Sequence, residues 1–332
     1  MKALQIADDP KEKLKMVEMP MPSLSEGEVL IKLKAVALNR RDQWIREDKY
    51  PNIKPNTTLG SDGCGVVEKV QNEADNHWLG KTVIINPNID WGTNSISQSP
   101  HYQILGMPTH GTFAEYIAVK ADRLHLKPAH LTDEQAATLP LGGLTAYRAV
   151  FTFGGLQAGE NVLISGVGGG VAMLAFQFAL AAKANVYVTS GSKEKIEKAL
   201  QAGAIGGANY KEVNWNKELH EKIKGLNLVV DSGGGKGFSD FIRMMKQAGR
   251  IVFYGATQGL PTTLDLYRMF FYQLRIQGST MGNDQEFSQM LDFVSKQNIV
   301  PFVDSVRPFA NIISAFDDMK AGNQFGKLVV SM

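Results

Sequence analysis

Between residues 161 and 279, short apolar runs alternate with segments of helical character. Residues 162–165, 185–190 (NVYVTS), 226–231 (LNLVVD), 250–254 (RIVFY) and 274–279 (LRIQGS) have strand length, and a weaker strand is expected near 208–210. An Ala/Leu/Phe-rich helix follows the first run, a charged helix (193–202) the second, and a further helix is expected over 238–245. Apolar strands alternating with helices predict a parallel sheet covered on both faces.

The flanking regions read differently. Residues 1 to about 126 are β-rich, with strands expected at 1–6, 29–36, 63–70, 81–86 and 112–119. In the second of these Val29, Ile31, Leu33 and Ala35 alternate with Lys32 and Lys34, the period of a half-buried strand. Pro20 and Pro22 interrupt the chain before it, and residues 41–47 suit one short helix. The long segment 87–111 is rich in Asn, Ser, Gly and Pro and carries Trp91, His101, Tyr102 and His110; it reads either as a packed surface lobe or as a lid or substrate-lining segment. Thr132 and Gln135 have capping-box spacing, and a helix over 143–151 leads into the βαβ region. After residue 279, amphipathic helices at 284–297 and 311–321 and a strand at 326–332 leave the alternating rhythm. This tail is expected to rejoin the first domain, giving one domain of residues 1–126 with 282–332 and an inserted one of 127–281.

Composition narrows the function. A chain of 332 residues has room for two cores. Its 20% charged residues and formal charge of +2 suggest neither a nucleic-acid nor a membrane partner. No run is long enough to span a bilayer, and the first residues lack the apolar core of a secretion signal and read as a strand followed by a polar turn, so a cytoplasmic protein is expected. The single cysteine, Cys64, excludes an internal disulfide and a thiolate zinc cluster.

The run 162–165 ends in a glycine cluster, Gly166, Gly168, Gly169 and Gly170, that opens a helix. A turn without side chains lets backbone N–H groups approach a pyrophosphate at the positive helix end, the arrangement of a Rossmann dinucleotide-binding domain. In the G-x-G-x-x-G register the last position is Val171; a looser register runs Gly166, Gly169, Ala172. The second strand ends Thr189-Ser190-Gly191-Ser192 and continues Lys193-Glu194-Lys195, without the carboxylate that binds the ribose of NAD. Ser190 and Ser192 can donate to a 2′-phosphate and Lys193 or Lys195 can pair with it, at about 1.5–3 kcal/mol per charge-assisted contact; alternatively the lysines are a solvated helix start. Ser232 to Gly234 and Tyr254-Gly255 end later strands, where ribose and nicotinamide normally lie, or else their glycines only shape loops.

Several segments together resemble the medium-chain dehydrogenase/reductase superfamily. They are Ala37-Leu38-Asn39-Arg40-Arg41-Asp42, Leu59-Gly60-Ser61-Asp62-Gly63-Cys64-Gly65-Val66-Val67, Gly111-Thr112-Phe113-Ala114-Glu115-Tyr116, Leu144-Thr145-Ala146-Tyr147-Arg148-Ala149, the glycine turn, and Gly326-Lys327-Leu328-Val329-Val330. The resemblance implies an α/β fold in which a doubly wound Rossmann sheet is inserted into a GroES-like, β-rich catalytic domain. Positions that hold catalytic zinc in the alcohol dehydrogenases of the superfamily are here Asn39, Ser61 and Leu141, and the 87–111 segment lacks the cysteines of a structural zinc lobe. The chain is therefore similar to the zinc-free, quinone-oxidoreductase-like branch, whose bacterial members with this loop are often called zinc-type.

That branch implies NADP(H), with Lys195 and Tyr210 at the 2′-phosphate, and hydride transfer to a small electrophilic acceptor such as a quinone, enone or enal. Asn39 is expected to face the nicotinamide and Tyr50 to line the substrate cleft. Arg40 or Arg41 is an oxyanion donor or, alternatively, a surface or inter-domain ion-pair residue. Asp42 is expected to structure its turn, and Tyr147 and Cys64 to be packing residues. A homodimer through the edge strand 274–279 is expected. Two other readings remain at this point: a zinc alcohol dehydrogenase, and an NADPH-binding structural or regulatory protein with little turnover.

Overall fold

The structure, a computed structural model, describes residues 1–9 and 11–332. The polar turn read after the first strand includes Pro10, which lies outside the described residues; the Ala7 N–H meets the Lys13 carbonyl at 2.9 Å across it. The chain divides into two compact units, Met1–Gly142 with Gly282–Met332, and Gly143–Met281. The first boundary thus falls after Gly142 rather than after residue 126, because this stretch is bonded into the first unit: the Leu141 N–H donates to Asp62 at 2.7 Å.

In chain order the first unit contains β1 (Lys2–Ile6), β2 (Leu14–Glu18), β3 (Glu28–Ala37), α1 (Arg40–Arg46), β4 (Asp62–Val70), β5 (Thr82–Ile85), β6 (Asn88–Ile89), β7 (Gln103–Ile104), β8 (Tyr116–Lys120), β9 (Leu124–Leu126) and α2 (Asp133–Ala136). The second follows from α3 (Pro140–Tyr147), which crosses the boundary: β10 (Asn161–Ile164), α4 (Gly170–Ala181), β11 (Asn185–Ser190), α5 (Lys193–Gln201), β12 (Gly206–Asn209), α6 (Trp215–Ile223), β13 (Leu226–Asp231), α7 (Phe238–Met244), β14 (Met245–Phe253), α8 (Leu266–Phe271) and β15 (Arg275–Gly278). The chain then returns to the first unit with α9 (Asp284–Lys296), β16 (Val303–Pro308), α10 (Ile312–Ala321) and β17 (Lys327–Ser331).

The first unit is built on β3. Its sheet runs β16-β17-β3-β4-β5-β9, with β8 also on β3. The last strand is antiparallel to β3, with Val330 opposite Val36, so the core cannot close until the C-terminus has arrived. That core gathers Leu4, Ile31, Leu33, Ile45, Phe113 and Phe316, with Phe113 edge-on to Phe316 at 6.0 Å.

The second unit is a parallel sheet of order β12-β11-β10-β13-β14-β15. Strand order reverses between β11 and β13, on either side of β10, so the glycine turn after β10 stands at the topological switch point. Val162, Leu163, Ile164, Leu228, Val229 and Val230 are all fully buried, which is why β10 and β13 read as uninterrupted apolar runs. The fold is α/β, with a parallel Rossmann sheet inserted in a β-rich unit.

Residues 112–115, expected as strand, form instead a tight crossing over the segment before β4. The N–H groups of Gly111, Thr112 and Phe113 donate to the carbonyls of Thr58, Gly60 and Leu59 at 2.8–2.9 Å. A Cβ on Gly111 would lie 1.9 Å from the Gly60 carbonyl oxygen, and one on Gly106 2.4 Å from it. Three backbones meet here without side chains between them. Gly111→Ala is expected to cost about 1–3 kcal/mol, read as a lowered melting temperature with faster proteolysis within 87–111; an unchanged melting curve and cleavage rate would contradict this packing.

Candidate functional site

In the first unit the polar residues flagged by sequence converge at the start of α1. Asn39 is the N-cap, and its N–H donates to the Asp42 carboxylate at 2.8 Å. Its side-chain Nδ2 donates to Asp62 Oδ2 at 2.9 Å, while its Oδ1 accepts from Lys327 Nζ at 2.7 Å. Lys327 also bridges to Asp62 at 2.8 Å, with side chains 3% and 0% exposed. An ammonium only donates and a carboxylate only accepts, so one orientation of the Asn39 amide is dictated. One Nδ2 hydrogen then remains after the bond to Asp62.

Arg41, beside it on α1, is not the surface or inter-domain ion-pair residue weighed above; it is buried at 6% exposure. Its guanidinium donates to Ser61 Oγ at 2.7 Å and to the carbonyls of Leu105 and Met107 at 3.0 and 3.2 Å. The Tyr50 hydroxyl accepts from it at 3.4 Å, and the guanidinium carbon lies 4.9 Å from the Tyr50 ring centre. Ser61 Oγ in turn donates to the Leu105 carbonyl at 2.7 Å. Arg40 is half-buried and its guanidinium meets no hydrogen-bond acceptor among the described residues; burial lowers its pKa, with Glu47 opposing. Asn39 is thus held by Lys327 and Tyr50 by Arg41, whereas Arg40 is hydrogen-bonded to neither.

This donor set does not fit zinc. The Asn39 and Ser61 side chains are engaged by Lys327, Asp62 and Arg41, and the Leu141 side chain has no ligating atom. A divalent ion placed among them would sit beside two fixed cations and displace their hydrogen bonds. Among the described residues no group of three His, Cys, Asp or Glu side chains is arranged to hold a metal. Cys64 is fully buried and its thiol is pushed up by desolvation.

The 87–111 segment packs on its own unit. The strands β6 and β7 pair, the Trp91 indole donates to the Asn94 carbonyl at 2.9 Å and meets Tyr102 edge-on at 5.1 Å, and the Tyr102 hydroxyl donates to Asn88 at 2.8 Å. His110 accepts the Thr58 N–H on Nδ1 at 3.1 Å, and burial lowers its pKa, with Lys54 adding to the shift. His101 is exposed. The segment gives Arg41 two backbone carbonyls, those of Leu105 and Met107.

In the second unit Gly166 (φ +67°) and Gly168 (φ +110°) turn the chain from β10 into α4. A Cβ on Gly166 would come 2.9 Å from Ser232 Oγ. The first helical bond runs from the Met173 N–H to the Gly169 carbonyl, leaving the N–H groups of Gly170, Val171 and Ala172 ahead of it. Asp231, which sequence reading passed over, organises the opposite side. Its carboxylate accepts from Ser165 Oγ and from the N–H groups of Gly233 and Gly234 at 3.1 and 2.8 Å. Burial raises its pKa while these donors oppose the shift. The signal was a strand ending in Asp before a glycine run.

Tyr254 donates its N–H to the Asp231 carbonyl at 3.0 Å, and a Cβ on Gly255 would lie 2.9 Å from the Ser232 carbonyl. Gly166 to Gly170, Ser232, Tyr254 and Gly255 thus form one group. Ser190, Ser192, Lys195 and Tyr210 form another at the end of β11. Ser190 Oγ is buried and donates to the Val167 carbonyl at 3.2 Å, tying the glycine turn to that strand. Ser192 caps α5 by accepting the Lys195 N–H, and the Tyr210 N–H donates to the Ser190 carbonyl at 3.2 Å. The side-chain-free turn, free helix N–H groups and polar second group fit a dinucleotide.

Comparison with known proteins agrees with this architecture. Residues 25–129 match the alcohol dehydrogenase GroES-like domain and residues 170–296 the zinc-binding dehydrogenase family. The chain is 34% identical to the zinc-type alcohol dehydrogenase-like protein YogA of Leptosphaeria maculans, over 96% of this chain and 94% of the relative. A solved NAD-dependent alcohol dehydrogenase superposes with a TM-score of 0.91 at 34% identity, covering 100% of both chains. A quinone oxidoreductase from Thermus thermophilus, solved also with NADPH, superposes at 0.81 with 27% identity, again over 100% of both. The protein belongs to the medium-chain dehydrogenase/reductase superfamily. It is an oxidoreductase of that superfamily.

Asp42 supplies a test of the buried cluster. It is fully buried, its Oδ1 meets no partner, and desolvation raises its pKa to about 6, with Arg41, the Asn39 N–H and Lys327 lowering it and Asp62 raising it. Because the folded value lies above the unfolded one, this contribution to stability is present below pH about 4 and lost as pH rises through about 6, about 2–3 kcal/mol in all. Denaturant midpoints measured from pH about 4 to 7 should fall for the wild type relative to Asp42→Asn. Parallel pH curves for the two proteins would contradict it.

Proposed function

We propose that the protein transfers a hydride from NADPH to a quinone or an α,β-unsaturated carbonyl without a metal. The observation that carries this reading is the engagement of Asn39 and Ser61, at the positions of zinc ligands in the alcohol dehydrogenases, by Lys327 and Arg41. The nicotinamide supplies the hydride chemistry when bound. Without a Lewis acid to polarise a carbonyl, the acceptor must itself be electrophilic, and the charge developing on its oxygen needs fixed donors. The remaining Nδ2 hydrogen of Asn39 is such a donor, in an amide polarised by the ammonium on its Oδ1. Tyr50, held by Arg41, is assigned to the substrate lining, and Arg40 keeps unengaged donors for an anionic substrate group.

The coenzyme assignment rests on Ser190-Gly191-Ser192 at the end of β11, where no carboxylate stands against a 2′-phosphate. The glycine turn, Val171, Ser232, Tyr254 and Gly255 are assigned to the rest of the dinucleotide, and Ser192, Lys195 and Tyr210 to its phosphate. Zinc-type alcohol dehydrogenase activity is suggested by a relative's name but is opposed by the donor set. Among the described residues no helix is long and apolar enough to cross a membrane.

The test is NADPH oxidation by chelator-treated protein with one quinone and one conjugated enone, beside NADP⁺ reduction with a simple alcohol. Turnover is expected with the first two, and Asn39→Ala should lower kcat by about 10²–10³. Alcohol oxidation restored only by zinc would overturn the reading. NADPH binding with no acceptor reduced would favour a structural or regulatory role.

We also propose that two copies pair through β15. It is the edge of the parallel sheet, and the preceding helix α8 exposes Leu266, Tyr267, Phe270 and Phe271, each more than half exposed. An open edge beside an aromatic face suits a two-fold mate of identical chemistry. Light scattering should give twice the chain mass, falling to one chain in Phe270→Glu; a monomeric wild type would refute the pairing.

A further inference from the structure

Strands β11 and β12 are parallel neighbours with Ser190 opposite Asn209, so the segments leaving both emerge side by side. The segment after β12 is fixed by its own bonds: the Lys211 N–H donates to Asn209 Oδ1 at 3.1 Å and the Glu212 N–H to the Asn209 carbonyl at 3.0 Å. That turn sends two side chains back over the end of β11. A Cβ on Gly191 would lie 2.8 Å from both Lys211 Cε and Tyr210 Oη, and 3.0 Å from Tyr210 Cζ. A side chain at this position would have to displace the flexible ends of both. The space above it, where a residue at the strand end would project, belongs to Tyr210 and Lys211.

The charges nearby leave this ammonium for a ligand. Glu194 is paired with Lys198 at 2.7 Å, and Glu212 accepts from Asn209. No carboxylate is bonded to Lys211 among the described residues, and its side chain is exposed. The Ser192 hydroxyl accepts the Lys195 N–H and can still donate outward.

We propose that Lys211 determines coenzyme specificity: it occupies, with Tyr210, the volume in which the ribose-binding carboxylate of an NAD site would stand, and its ammonium pairs with a 2′-phosphate. The inference rests on the NADPH reading above and deepens it. One glycine serves two ends. It removes the group that repels the phosphate and admits the group that attracts it.

The experiment measures dissociation constants by calorimetry for NADPH and NADH, and for the fragments 2′,5′-ADP and 5′-AMP, on wild type, Lys211→Ala, Lys211→Gln and Gly191→Asp. The wild type is expected to prefer the 2′-phosphorylated member of each pair. Both Lys211 variants should weaken NADPH and 2′,5′-ADP about ten- to hundredfold and leave NADH and 5′-AMP within about twofold. Gly191→Asp should reverse the preference. If the wild type prefers NADPH and the Lys211 variants bind all four ligands as it does, the role of Lys211 is refuted and the coenzyme reading survives. If the wild type binds NADH as tightly as NADPH, the coenzyme reading fails and the inference falls with it.

Discussion

The ion pair between Lys327 and Asp62 is the interaction on which the first unit depends. It joins the last strand to β4 inside a sheet whose centre, β3, lies between them. Neither charge reaches water, so loss of either partner would leave the other stranded, at about 3–5 kcal/mol. Such a pair contributes little net stability over an apolar substitute but strongly penalises other arrangements. Asp62 receives three donors: Lys327, the Asn39 amide and the Leu141 N–H. The return of the C-terminus, the start of α1 and the approach to α3 therefore meet at one carboxylate.

The same pair sets what Asn39 can do. A free carboxamide would flip between two orientations; here the ammonium holds the oxygen and the carboxylate holds the nitrogen. Arg41 performs the parallel task for the neighbouring loop, gathering Ser61, Leu105 and Met107 around one guanidinium. Two fixed organic cations thus engage the Asn39 and Ser61 side chains, each consuming a group that a metal would need.

Much of this was legible. The apolar runs of β10, β11 and β13 appeared with nearly their observed limits because strands buried on both faces have no polar positions to blur them. The elements missed were those whose sequence follows the surface. The helix α6 buries only Leu219 and Ile223 within a polar sequence, and the aromatic α8 has no buried residue. The edge strand β16 alternates only between half-buried and exposed positions. At the proposed site, Asn39, Tyr50 and Tyr210 were candidates from motif position. The burial of Arg41 was not legible, since its acceptors at 105 and 107 are backbone carbonyls on a distant loop. The proximity of Lys211 to Gly191, twenty residues earlier, was hidden too, because no local pattern records it.

Fold similarity therefore stops short of the coenzyme. An NAD-dependent alcohol dehydrogenase and a quinone oxidoreductase solved with NADPH both superpose on the whole chain. A doubly wound sheet offers a dinucleotide the same switch point whichever coenzyme it takes. What separates the two coenzymes is one phosphate, met at the end of a single strand. A carboxylate there repels it, whereas one lysine contributes about 1.5–3 kcal/mol toward holding it. That difference amounts to one or two orders of magnitude in affinity and is carried by side chains that bury almost nothing. The sheet can therefore keep its apolar core unchanged under either coenzyme, because the residues proposed to distinguish the two lie beyond the end of β11.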